Sequence, residues 1–356
     1  MSKESYSWLA ENVRAGFTEE REPWWAPAAR REGSTPHLYP GAVPMEEVEK
    51  LLAGWSPYES GLFDVTGEAQ TFYDADMKPV RAILAETVSP VRSHKLIKTD
   101  DTHEQLAVVG IDRATHSYRD WLVGTVTECV GDEAQVSSAG LLKNRAQAWV
   151  QIERPETAVG PDGILFSPHV TLSTSLDSSL SSQINQNTKM VICDNTLEIA
   201  RGQGLAFRHT KNSGQKLGDY RSVMSAIMRG ESDFRAELDR QLKVEVSDTD
   251  FSRFLESFVP IHDDDHPAKK TRSERKRREI TELYKSDPRV LPWKGTEFGV
   301  VQAVNTWQQH LSQLTNKTGY EMDDTNLRAM RNYAEDLRGN QGRDMETVKL
   351  LEAVLV

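Results

Sequence analysis

The stretch Ala206-Phe207-Arg208-His209-Thr210-Lys211-Asn212-Ser213-Gly214-Gln215-Lys216 interleaves cations, hydroxyl and amide donors and one aromatic, with further glycines at Gly202, Gly204 and Gly218. Such a mixture suits phosphate oxygens held by Lys, Arg and backbone N–H groups, with an aromatic ring available to stack on an unpaired base. Across residues 201–230, Arg201, Arg208, Lys211, Lys216, Arg221 and Arg229 face the single acid Asp219. The whole chain carries 43 Lys and Arg against 54 Asp and Glu, a net charge of -11. Positive charge gathered into one segment of an acidic chain is the pattern of a local anion site, because the remainder repels phosphate. Candidate binding residues are therefore Arg201, Arg208, His209, Lys211, Asn212, Lys216 and Arg221. A second basic run, Lys269 to Arg278, reads either as an extension of that site or as a solvated helix face.

Catalytic signatures are missing. No GxxxxGK[ST] phosphate loop, GxGxxG fingerprint, GxSxG elbow or HExxH helix occurs in the 356 residues. His262-Asp-Asp-Asp-His266 offers imidazoles and carboxylates, but Pro260 and Pro267 bracket it and linker acidity explains it equally well. No catalytic residue, metal site or cofactor is therefore expected. Cys129 and Cys193 have no CxxC partner and read as reduced, buried thiols. Apolar runs are too short to span a membrane, and the first residues lack the apolar core of a secretory signal, so a cytoplasmic protein is expected.

The elements that must position these residues follow from periodicity. Five prolines between Pro23 and Pro44, with Trp24-Trp25, predict an extended N-terminal arm over residues 1–44 that docks on its own domain or on a neighbouring subunit. Residues 45–53 read as a short helix stopped at Gly54. Strand-like runs follow at 88–98, 105–111, 134–142, 145–153, 164–174 and 188–194, with Lys143-Asn144 as a tight hairpin turn. One helix interrupts them, where Tyr118, Trp121, Leu122, Thr125 and Val126 share a face. Beyond residue 216 only helical patterns remain. Phe251, Phe254, Leu255 and Phe258 lie behind the caps Ser247 and Asp248, while Val300, Val304, Trp307, Leu311 and Leu314 approach heptad spacing that would suit a second subunit. A further stripe runs through Met330, Tyr333 and Leu337, and a last helix from Asp344. The fold class is α+β, a mainly antiparallel sheet with packed helices followed by a helical C-terminal region, divided as 1–44, 45–215 and 216–356.

Several blocks carry a resemblance. They are Gly54-Trp55, Leu106-Ala-Val-Val-Gly110, Ser138-Ala-Gly-Leu-Leu142 with Arg145 and Ala148-Trp149-Val150, and Met190-Val-Ile-Cys-Asp-Asn-Thr-Leu197 with Ala200. Arg208-His-Thr-Lys-Asn212, Gly295-Thr296 and Ala303-Val304-Asn305 complete the set. In this order they resemble the phage/plasmid-like protein family that carries a domain of unknown function. Two departures stand out: Ile111-Asp112-Arg113-Ala114 replaces an Arg-Tyr type pair, and Lys143-Asn144 replaces glycines of the hairpin. The resemblance implies a mobile-element setting and the cytoplasm of an infected host cell. The leading expectation is a homo-oligomeric protein of the single-stranded DNA binding and annealing type, acting in phage recombination. An alternative is a non-enzymatic interaction protein, a regulator or counter-defence factor with a host protein partner. A metal-dependent nuclease or phosphoryl-transfer enzyme stands third, on abundant Asp and the 262–266 cluster alone.

Overall fold

The computed structural model describes residues 11–17, 37–73, 75–130, 134–154, 158–160, 165–190, 196–197, 205–210, 220–312, 328, 331–332 and 343–355. Its main sheet contains β1 (Val13–Phe17), β2 (Leu38–Pro40), β6 (Gln135–Leu142), β7 (Gln147–Glu153), β8 (Ala158–Val159), β9 (Leu165–Ser175), β10 (Ser182–Met190), β11 (Thr196–Leu197) and β12 (Leu205–Phe207). The spatial order is β11-β10-β9-β7-β6-β1-β2, with β12 also beside β10 and β8 beside β9. All these pairs are antiparallel except β1–β2. A second sheet joins β3 (Pro57–Tyr73), β4 (Pro79–Thr99) and β5 (Gln105–Gly110) in sequence order. The α+β, mainly antiparallel architecture with helices in the C-terminal region agrees with the sequence reading.

Alternation along β7 and β9 builds the first core. Ala148, Val150 and Ile152 of β7 and Val170 and Leu172 of β9 turn to one face, as period-2 side chains must. Against them lie Val48, Leu51 and Leu52 of α1 (Met45–Ala53), and Trp121, Leu122 and Val126 from a π-helical turn (Arg119–Val123) and α2 (Gly124–Cys129). Cys129 is buried there, and burial pushes its thiol up to about 12, so it behaves as a small apolar side chain. Ile97 and Val109 join the same core, which anchors the base of the second sheet.

A second core ties the sheet to the helical region across residue 215. Phe166 of β9 meets Phe234 of α3 (Tyr220–Lys243) with ring centroids 4.7 Å apart, beside Phe298 and Val301 of α6 (Glu297–Thr306) and Val348 of α7 (Arg343–Leu355). The third core lies within the helices, where Phe251 and Phe254 of α4 (Asp248–Phe258) pack with Ile280 and Tyr284 of α5 (Pro267–Ser286). Ser247 caps α4 as its sequence position predicts, its Oγ accepting from Asp250 N at 3.1 Å.

Within the proposed arm, Val13–Phe17 docks on its own domain as a strand between β6 and β2, with Val13 and Ala15 buried. The apolar face of Val13 and Ala15 flanking Arg14 fits a free ladder edge better than solvent; Trp24-Trp25 lies outside the described residues. Of the heptad-like stripe, Val300 and Val304 are buried in the chain's own third core and Trp307 Nε1 donates to Glu279 Oε2 at 2.8 Å, while Leu311 is exposed. Leu314, and most of the stripe from Met330 to Leu337, lie outside the described residues.

The β6–β7 turn explains one block of the resemblance. Gly140 pairs with Trp149 across the strands, and a Cβ on Gly140 would stand 2.0 Å from the indole ring. Lys143, Asn144 and Arg145 follow with φ of 48°, 53° and 72°, a left-handed run that glycine adopts without steric cost. Here the run is held from outside. Arg145 Nη2 donates to Asp101 Oδ2 at 2.9 Å and its guanidinium lies 4.0 Å from the Trp55 ring, while Tyr118 Oη donates to Arg145 O at 2.8 Å. Opposite outcomes are therefore predicted for two small changes. Gly140→Ala should destabilise by roughly 3 kcal/mol through overpacking, and Lys143→Gly should stabilise by about 1 kcal/mol through relief of the left-handed strain; urea midpoints at constant slope check both.

Candidate nucleic-acid interface

The candidate residues divide sharply. Arg208 is exposed, directly after β12. Arg221 belongs to the first turn of α3. Arg201, Lys211, Asn212 and Lys216 lie outside the described residues. His209 turns inward, and its expected role as a phosphate contact does not fit its burial. Its Nδ1 donates to Ala114 O at 3.1 Å, its Nε2 lies 3.5 Å from Thr174 Oγ1, and its ring stacks on His116 at 4.0 Å. His116 Nδ1 is 2.7 Å from Ser182 Oγ, which is 2.8 Å from Thr174 Oγ1.

This buried knot positions what surrounds it. His209 O accepts from Ala114 N at 3.3 Å, so residues 208–210 run beside the β5–α2 connection. Arg113 N donates to Gly110 O at 3.0 Å, and Ile111 N to Ser93 O at 3.0 Å. Ser93 sits in the irregularity of β4 where the register jumps between Gly61↔Lys95 and Leu62↔Val91, leaving Arg92, Ser93 and His94 opposite no β3 residue. One hydrogen-bonded seam thus connects exposed Arg208 and Thr210, half-buried Arg113, and exposed Arg92 and His94. Lys95, beneath them, is buried and bound to Glu59 Oε1 at 2.6 Å and Arg113 O at 2.8 Å. Asp112 is the exposed acid of the connection.

A model of a domain of unknown function, DUF932, matches residues 105–348. The chain belongs to the DUF932 family. No curated protein and no solved structure matches it. The DUF932 segment begins at β5 and ends within α7, so it contains Arg113, the His116–His209 knot and Arg208, while Arg92 and the β3–β4 hairpin precede it.

The second basic run also falls in this segment and is largely engaged within the chain. Lys276 stands 4.4 Å from the Phe258 ring and 4.5 Å from the Trp307 ring, and burial lowers its pKa. Arg277 Nε donates to Val259 O at 2.9 Å, closing the end of α4. Lys269 pairs with Asp265, and Arg275 with Glu279 at 3.6 Å. The His262–His266 cluster caps α5: His266 Nδ1 accepts from Ala268 N at 3.3 Å and Asp265 Oδ2 from His262 N at 3.0 Å. Among the described residues no group of three His, Cys, Asp or Glu is placed to hold a metal ion.

Sequence reasoning missed a buried polar layer on the other face of β7 and β9. Ser138 Oγ donates to Gln151 Oε1 at 2.6 Å, Gln151 Nε2 reaches Thr171 Oγ1 at 3.4 Å, and Ser167 Oγ donates to Glu153 Oε2 at 3.0 Å. The alternation of Ser167, His169, Thr171, Ser173 and Ser175 was visible, but a polar period-2 face ordinarily signals solvent.

The histidine knot makes stability depend on pH. Burial, first, then nearby cationic groups lower His116 to about 4 and His209 to about 3. Because the unfolded chain binds protons more readily, stability is complete above about pH 6.5 and is lost as pH falls toward 4. His209→Gln should flatten this decline. Urea midpoints at pH 7.5 and 5.0 in both proteins check it, and equal declines would contradict the assignment.

Proposed function

We propose that this protein binds single-stranded DNA and works as an oligomer in strand annealing of the kind used in phage recombination. The observation that carries the reading is the seam: exposed Arg208 on one side and the exposed pair Arg92 and His94 on the other are linked by backbone hydrogen bonds through residues 110–114. The exposed guanidinium groups of Arg92 and Arg208 can grip a sugar-phosphate backbone and leave base edges free to pair, while Arg113, whose Nη2 donates to Ser175 O at 3.0 Å, braces the seam from within. Arg201, Lys211, Asn212, Lys216 and Arg221 flank Arg208 in the chain and would extend the grip. The resemblance to phage and plasmid proteins supports the setting. His209 contributes by holding the 208–210 segment in place, not by touching the ligand.

A second reading, a regulator or counter-defence factor acting on a host protein, draws support from the exposed apolar side chains of the β3–β4 hairpin. Fluorescence anisotropy separates the two. The wild-type protein should bind a labelled single strand in preference to duplex. In Arg92→Ala/Arg208→Ala, affinity should drop about 10- to 100-fold, and the slope of log K against log salt should shrink by about 1.4 for two lost phosphate contacts. Unchanged affinity and slope in a folded double variant would remove the seam from the reading. No binding by the wild type at low salt would transfer the lead to the host-partner alternative.

A further inference from the structure

The hairpin of β3 and β4 outgrows the sheet it belongs to. β5 pairs only with His94 to Lys98, at the base, so beyond Leu62 and Val91 the hairpin is a two-stranded ribbon about 40 Å long. Isolated two-stranded ribbons are marginal in water, and stable ones cover one face. This ribbon has such a face. The cross-strand pairs Phe63↔Pro90, Val65↔Val88 and Tyr73↔Pro79 place apolar side chains at odd positions of β3, while Asp64, Thr66, Glu68 and Gln70 occupy the even positions between Leu62 and Phe72 at the two ends. Phe63 is 60% exposed, Val65 39%, Tyr73 63% and Val88 58%.

We infer that this face is where copies of the chain join, each ribbon lying against the ribbon of a second copy. The inference rests on the oligomeric part of the proposed function and names its surface. Charge argues for this occupant over nucleic acid. Residues 62–91 contain Asp64, Glu68, Asp74, Asp76 and Glu86 against Lys78 and Arg81, so the ribbon repels phosphate and anionic lipid alike. The acids Asp64 and Glu68 stand on the opposite face, so a two-fold contact through the odd positions brings none of the β3 acids together. Area agrees as well. Two aromatic, two valine and two proline side chains offer on the order of 500 Å² per copy, most of the roughly 800 Å² that a standard interface takes from each partner.

Light scattering on the full-length protein without nucleic acid, over a concentration series, tests the inference. The wild type should have a mass that is a multiple of the monomer's. Phe63→Glu/Val88→Glu should weaken self-association about 100-fold or more, with an unchanged far-ultraviolet circular dichroism spectrum, whereas Asp64→Asn on the opposite face should leave it intact. Hydrogen exchange on the wild type provides a readout independent of folding defects: protection of residues 62–73 and 79–91 should rise with protein concentration. A monomer at every concentration, an assembly untouched by the double substitution, or protection independent of concentration would overturn it. Arg92→Ala/Arg208→Ala should assemble like the wild type, so loss of DNA binding and loss of the interface are read separately.

Discussion

Strands β7 and β9 are buried on both faces, and the rest of the molecule is organised around that requirement. Their even positions, Thr174 apart, are apolar and demand helices, which α1, α2 and the π-helical turn before it supply. Their odd positions, Trp149 and Leu165 apart, are polar, and polar groups out of water are tolerated only when hydrogen-bonded. Ser138, Gln151, Glu153, Ser167 and Thr171 meet that demand partly with one another. The indole of Trp149 fits into the same face because its cross-strand partner is Gly140. The sheet core is thus apolar on one side and a hydrogen-bonded layer on the other, two environments with different tolerance for change.

The same logic governs charge. Cations that look alike in the sequence have different neighbours in the structure. Lys276 lies against two aromatic rings and Arg277 ends a helix, so they serve the helical region from within. Arg240 binds Glu237 and the fully buried Glu297, whose carboxyl burial would otherwise leave uncompensated. Arg92 and Arg208 remain exposed on the seam beside the second sheet. The neutral His116–His209 pair fixes the course of residues 208–210 without adding charge of its own.

The long hairpin shows a different balance. Its base shares the first core through Ile97 and Val109, while its outer part displays Phe63, Tyr73 and Val88 to solvent. Anchoring at one end leaves the outer part of the ribbon with no third strand beside it.

Much of the architecture was legible in the sequence. Helix 45–53, the helix through Trp121 and Val126, the Ser247 cap, the Lys143-Asn144 turn and the strands at 105–110, 135–142, 147–153 and 165–175 all follow from local spacing, because side-chain period and capping are set by residues a few positions apart. Less visible was β3, whose Gly61, Asp64 and Gly67 dilute its strand character and which is stabilised by its β4 partner. Beyond local order, tertiary structure decided the outcome. It turned His209 inward and left Arg208 outside, drew Val13–Phe17 into the sheet, engaged Lys276 between rings, and buried a polar strand face that alternation alone assigns to water. Each of these depends on which distant residue arrives opposite, and a sequence read by its own periodicity specifies what a residue can satisfy, while only the packed chain determines what it meets.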